Sequence, residues 1–80
     1  MQSSYKQDDQ IFLEQLGSRI RELRSEIGLS QEKLSFECDL DRTYIGSVER
    51  GERNIAALNL KKISKALNIS VSELFNFDYE

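Results

Sequence analysis

The stretch from Ser30 to Gly51, SQEKLSFECDLDRTYIGSVERG, constrains the chain more than any other. It reads as two short helices joined by a tight turn. The first opens at Ser30-Gln31 and closes near Cys38, and the second opens at Asp41-Arg42 and closes at Arg50-Gly51. Ser30 and Asp41 supply side-chain oxygens for the orphan N–H groups of each first turn, although neither is followed by the Glu or Gln of a full capping box. Leu34 and Cys38 are one helical turn apart and share a face, as do Ile45 and Val48. Leu40, in the turn, can fill the space between these two stripes. Ser35 is small where the helices should cross, and a bulkier residue there would force them apart. Asp39 stands where the turn wants a left-handed residue, a conformation Asp tolerates better than most.

Two helices at this spacing make the helix-turn-helix of DNA-binding domains. The second would then be the recognition helix. Ile45 and Val48 face inward, and Arg42, Thr43, Tyr44 and Ser47 are expected at its exposed N-terminal end. An arginine can bond guanine O6 and N7 together, and Thr and Tyr can meet a thymine methyl or the sugar–phosphate wall. Gly46 is expected to let this helix approach DNA or a neighbouring subunit closely. Ser30 and Gln31 begin a helix, a place suited to a phosphate.

The segment LSQEKLSFECDLDRTYIGSVERGERNIAALNLKKISKALNISVSELF resembles the domain of phage Cro and lambdoid repressors and their small bacterial relatives. Its core, LDRTYIGSVERGERNIA, is similar to the controller proteins of restriction–modification systems. The resemblance covers about residues 13–77. Asp39 replaces the usual Gly, Ser35 the usual Ala, and Ala56 the usual Ser or Thr cap. The resemblance implies an all-α, compact five-helix domain and a homodimer on a double-stranded DNA operator. It also implies that the loop holding Arg53 and Asn54 works at the DNA, with Arg53 on a base, and that Arg24 pairs with Glu49. RNA polymerase is a further partner that such regulators admit. A phage or chromosomal repressor, or an antitoxin, is the alternative within this fold. A protein-interaction module is the alternative from another class.

Eighty residues make one small domain with a core of marginal size, so a dimer interface could add burial. The net charge of −3 argues against a nucleic-acid partner. Local patches decide binding, however, and Arg42, Arg50 and Arg53 cluster with Lys33 nearby, while the acid gathers at Asp8, Asp9 and Glu14 and again at Glu73, Asp78 and Glu80. No histidine is present, so no Ser–His or Cys–His catalysis is possible, and a single cysteine makes neither a metal constellation nor a disulfide. Cys38 is read as a buried thiol rather than a redox sensor. No Gly-rich phosphate loop occurs. These absences make the chain a non-enzyme with no cofactor and no small-molecule substrate. The lack of a membrane-length run or signal segment, and the lone thiol, place it in the cytoplasm.

In chain order, residues 1–7 are polar and expected to be flexible, and residues 8–80 form the domain. Asp8-Asp9 open a first helix that runs to about Ile27. Its core stripe is Leu13, Leu16, Ile20, Leu23 and Ile27. Gly17 within it implies close approach by another helix, and Arg21 reads as a solvated charge. Gly28 ends it. A further helix covers about Ala57–Leu67, with the stripe Leu60, Ile63 and Leu67. Ser70 and Glu73 have capping-box spacing for a last short helix. Leu74, Phe75, Phe77 and Tyr79 follow and are assigned to the dimer interface, because aromatic residues are enriched in interfaces. On the residues themselves Leu74 is expected in the core and Phe75 in the core or the interface, and the two stand equal for Phe77 and Tyr79.

Overall fold

A computed structural model describes residues 5–78. Five helices follow one another, α1 (Gln7–Glu26), α2 (Gln31–Cys38), α3 (Arg42–Glu49), α4 (Ala57–Ala66) and α5 (Val71–Leu74), and no strand occurs among the described residues. α3 packs against α1 and α2, α4 against α2 and α5, and α5 returns to α1. Leu16, Ile20, Leu34, Cys38, Ile45, Val48, Ile63, Leu67 and Leu74 form one continuous core.

Local chemistry sets the helix ends. Ser30 accepts the Lys33 N–H at 3.0 Å, and Asp41 accepts the Thr43 N–H at 2.7 Å. Ser70 and Glu73 close a reciprocal capping box at the start of α5. Ala56 gives α4 no side-chain cap. Asp39 takes the left-handed conformation at φ 57°, which turns the chain from α2 towards α3.

Gly17 marks where α1 meets the end of α3. A Cβ there would lie 2.6 Å from the Glu49 carbonyl oxygen, closer than any side chain can sit. The helix-propensity cost of glycine is offset by this approach.

Several expectations change. Among the described residues α1 begins ahead of Asp8: Gln7 is already helical, and the Lys6 carbonyl accepts the Gln10 N–H at 2.8 Å. Residues 1–4 lie outside the described residues, as does Tyr79. Ile27 is 52% exposed, and α1 ends one residue earlier. Leu74 is fully enclosed in the protomer's own core and has no surface to give a dimer interface. Phe75 and Phe77 are half-buried against a residue that the stripe of α1 did not include. The Phe12 ring lies 6.2 Å from that of Phe75 and 5.9 Å from that of Phe77.

Candidate nucleic-acid interface

α3 is held by polar bonds at its C-terminal end and left open at its N-terminal end. Glu49, in its last turn, has a side chain that is 0% exposed. An unpaired carboxylate there would carry a large desolvation cost. Instead Arg24 Nε donates to Glu49 Oε2 at 2.7 Å and Arg24 Nη2 to Oε1 at 3.0 Å. Gln31 Nε2 donates to Oε1 at 2.9 Å. Arg24 Nη1 also reaches the Leu29 carbonyl at 2.8 Å, so one guanidinium ties α1, the following loop and α3 together. The bond to Glu49 holds the Arg24 guanidinium above its ordinary pKa, against the opposing effect of burial. Arg21 is not simply solvated: its Nε lies 3.7 Å from Glu49 Oε1, and its Nη2 donates to the Glu49 carbonyl at 3.3 Å.

This network fixes the pose of α3 and of the residues at its open end. Arg42 and Thr43 are exposed in the first turn. Arg42, alone of the chain's six arginines, makes no hydrogen bond or ion pair within the described residues. Arg19 and Arg50 are occupied as well: Arg19 bonds the Glu73 carbonyl at 3.0 Å, and Arg50 bonds Glu52 at 2.9 Å. The Arg50 partnership lowers the Glu52 carboxyl pKa and raises that of Arg50.

Ser47 is not on the exposed end of α3. It is 5% exposed, because position 47 lies one turn from Thr43 on the side that the following loop covers. Its hydroxyl donates to the Tyr44 carbonyl at 2.7 Å and accepts from Arg53 Nε at 3.0 Å. Tyr44 is half-buried rather than fully presented, and its hydroxyl accepts from Asn59 Nδ2 at 3.1 Å. Arg53 and Asn54 are exposed in the loop after α3. Asn59, on α4, carried no motif signal that would have singled it out.

The start of α2 also differs from expectation. The Gln31 side-chain nitrogen is turned inward to Glu49, and the Ser30 hydroxyl is engaged as the cap. With the Lys33 N–H spent on the Ser30 hydroxyl and the Leu34 N–H on the Ser30 carbonyl, the backbone N–H groups left at this end are those of Gln31 and Glu32. Gly46 is buried beside side chains of its own protomer. A Cβ there would lie 3.2 Å from Arg50 Nη1 and 3.7 Å from Gln31 Oε1, both of the same chain.

Among the described residues no group of His, Cys, Asp and Glu could hold a metal ion, and no helix is long and apolar enough to cross a membrane.

The helix-turn-helix family model matches residues 20–74. The control protein C.BamHI of Bacillus amyloliquefaciens is 52% identical over 62 residues, which are 76% of this chain and 76% of that protein. The control protein C.MunI of a Mycoplasma species is 49% identical over 61 residues, 75% of this chain and 82% of that protein. The crystal structure of the restriction-modification controller protein C.AhdI from Aeromonas hydrophila superposes with a TM-score of 0.77 at 52% identity. It covers 78% of this chain and 94% of that one. The controller protein C.Esp1396I gives a TM-score of 0.74 at 38% identity, over 80% of this chain and 83% of that one.

Proposed function

The chain belongs to the helix-turn-helix family and, within it, to the restriction–modification control proteins, and from this we propose that it regulates transcription by binding an operator as a homodimer. Its own operon, with the linked endonuclease and methyltransferase genes, is the natural target. The reading is non-enzymatic and cytoplasmic, with RNA polymerase as a second partner. The observation that carries it is Arg42. A guanidinium left without internal partners on the first turn of α3, beside exposed Thr43, is free to meet a guanine edge in the major groove. Its five relatives in the chain are bound to carboxylates, carbonyls or a hydroxyl.

α2 would dock its first-turn backbone N–H groups on a phosphate, which fixes register without reading sequence. Ser30 and Gln31 serve that contact by shaping the turn. Tyr44 and Ser47 act beside Arg53, which with Asn54 lies in the loop after the recognition helix. Residues 8–80 act as one binding domain in this reading, with the C-terminal region as its dimer face. The protomer measures 31 × 25 × 21 Å, so it spans one half-site, and half-sites one helical turn or roughly 34 Å apart require a two-fold pair. Phe75 and Phe77, with exposed Val71 nearby in sequence, leave apolar surface at that face. Sedimentation should show a dimer at micromolar concentration, and Phe77→Glu should weaken it.

The test of the function is selection of duplexes from a random pool, followed by binding at several salt concentrations. Arg42→Ala should lose about 1–3 kcal/mol on the selected duplex and relax preference at one base position per half-site. Gln31→Ala should weaken selected and random duplexes by similar factors. Absence of any sequence-dependent, salt-sensitive binding by the parent would leave the protein-interaction module as the better account.

A further inference from the structure

An exposed ion pair sits on the turn that ends α3. Arg50 caps the helix, and Gly51 follows in the left-handed conformation at φ 78°. The Gly51 N–H bonds the Val48 carbonyl at 3.0 Å, and the Glu52 N–H bonds the Ser47 carbonyl at 2.9 Å. These two bonds reverse the chain and fix the Glu52 backbone beside the Arg50 side chain. Arg50 Nε donates to Glu52 Oε2 at 2.9 Å, and Arg50 Nη2 to Oε1 at 3.2 Å. The two side chains stay in water, 57% and 42% exposed, so the pair adds little to folding stability.

Its place in the fold gives the pair another role. A Cβ on Gly46 would lie 3.2 Å from Arg50 Nη1 and 3.7 Å from Gln31 Oε1, so the guanidinium lies over α3 beside the first residue of α2. In a helix-turn-helix the first helix of the pair crosses the DNA backbone, and base edges meet the N-terminal residues of the second. Arg50 stands at the opposite end of α3, on the side of α2, where a phosphate is the group within reach. The edge formed by Nε and Nη2 receives a phosphate through the same two parallel bonds that it gives a carboxylate. Glu52, the only acid between Arg50 and Ala56, fills that edge.

We propose that Arg50 is a latent phosphate ligand whose edge Glu52 occupies as an internal stand-in for the DNA backbone, so that sequence-independent affinity is held down. The proposal rests on the DNA-binding reading of the chain. Binding exchanges one ion pair for another and leaves a carboxylate facing the phosphates. Removing that carboxylate should therefore strengthen the contact by about 3- to 10-fold per protomer, the worth of one nearby charge in water.

The experiment measures binding of the parent, Glu52→Gln, Arg50→Ala and the double variant to the selected duplex and to a random duplex, each at several salt concentrations. Glu52→Gln should bind both duplexes about 3- to 10-fold tighter per protomer and steepen the salt dependence by roughly one charge per protomer. Arg50→Ala leaves the carboxylate uncompensated and should weaken both duplexes. The double variant should return to the affinity and salt slope of the parent, and all four proteins should melt together because the pair is exposed. If Glu52→Gln binds and responds to salt as the parent does, the pair guards no phosphate site and the proposal is overturned. If the double variant keeps the gain, Glu52 acts by its own charge and the role of Arg50 is overturned. If Glu52→Gln gains on the selected duplex alone, the contact is to a base and the phosphate assignment is overturned. These three outcomes leave the DNA-binding reading standing, whereas a parent that binds no duplex removes that reading and the proposal with it.

Discussion

Replacing Arg24 with alanine should be among the most damaging single changes in this chain. Glu49 has a side chain 0% exposed, and Arg24 is 14% exposed. The substitution removes two of the three short bonds to the carboxylate, at 2.7 and 3.0 Å, and leaves Gln31 at 2.9 Å. It also frees the Leu29 carbonyl. Losing one partner of a buried pair costs about 3–5 kcal/mol, because the other charge stays behind in low dielectric. Arg21, at 3.7 Å and half exposed, offsets part of this, which places the expected loss near the lower end, about 3 kcal/mol. In a domain of this size each kcal/mol moves the melting temperature by roughly 4–8 °C, so a fall of roughly 12–24 °C should follow. Far-UV circular dichroism melting at one fixed protein concentration is the assay, since a dimer's stability depends on concentration. The double variant Arg24→Met with Glu49→Leu removes both charges and should melt closer to the parent than Arg24→Ala does. An Arg24→Ala protein melting within about 4 °C of the parent would refute the reasoning.

Two further outcomes test the packing. Gly17→Ala gains about 1 kcal/mol of helix propensity. It also drives a Cβ to 2.6 Å from the Glu49 carbonyl oxygen, an overpacking cost of about 1–3 kcal/mol or more, so urea unfolding should show net destabilisation rather than a gain. Burial raises the Cys38 thiol above its ordinary pKa of 9.0. Its contribution to stability is therefore complete below the unfolded value and is lost as pH climbs through the folded one. As pH rises past 9.0 the parent should lose stability more steeply than Cys38→Ala, and identical slopes would show that the thiol is not shielded.

What the sequence determined by itself was mostly what adjacent turns decide among themselves. Ser30, Asp41 and the Ser70–Glu73 pair mark helix starts because a cap needs only residues two or three positions on. Leu16, Ile20, Leu34, Ile45, Val48 and Ile63 fall in the core because a helix repeats its face every three or four residues. Gly17 announced a close approach, since a mid-helix glycine needs some compensation, but only the fold names the partner as the carbonyls of Val48 and Glu49.

The direction of the polar side chains on α3 belonged to the tertiary structure. Ser47 was placed outward by helical position, yet the loop that follows α3 folds back over it and makes it the acceptor for Arg53. Tyr44 is half covered because it packs against the core, and Asn59, fifteen residues on, reaches its hydroxyl. Arg21 looked like a solvated charge and Gln31 like a phosphate ligand until Glu49, from 28 and 18 residues away, drew both to itself. Leu74, expected in the core and also assigned to the interface, lies wholly inside the protomer, while Phe12, absent from the stripe, packs against Phe75 and Phe77. Periodicity says which residues share a face. It does not say how far a neighbouring element extends over that face, and a buried carboxylate recruits whichever donors the packed helices bring within reach.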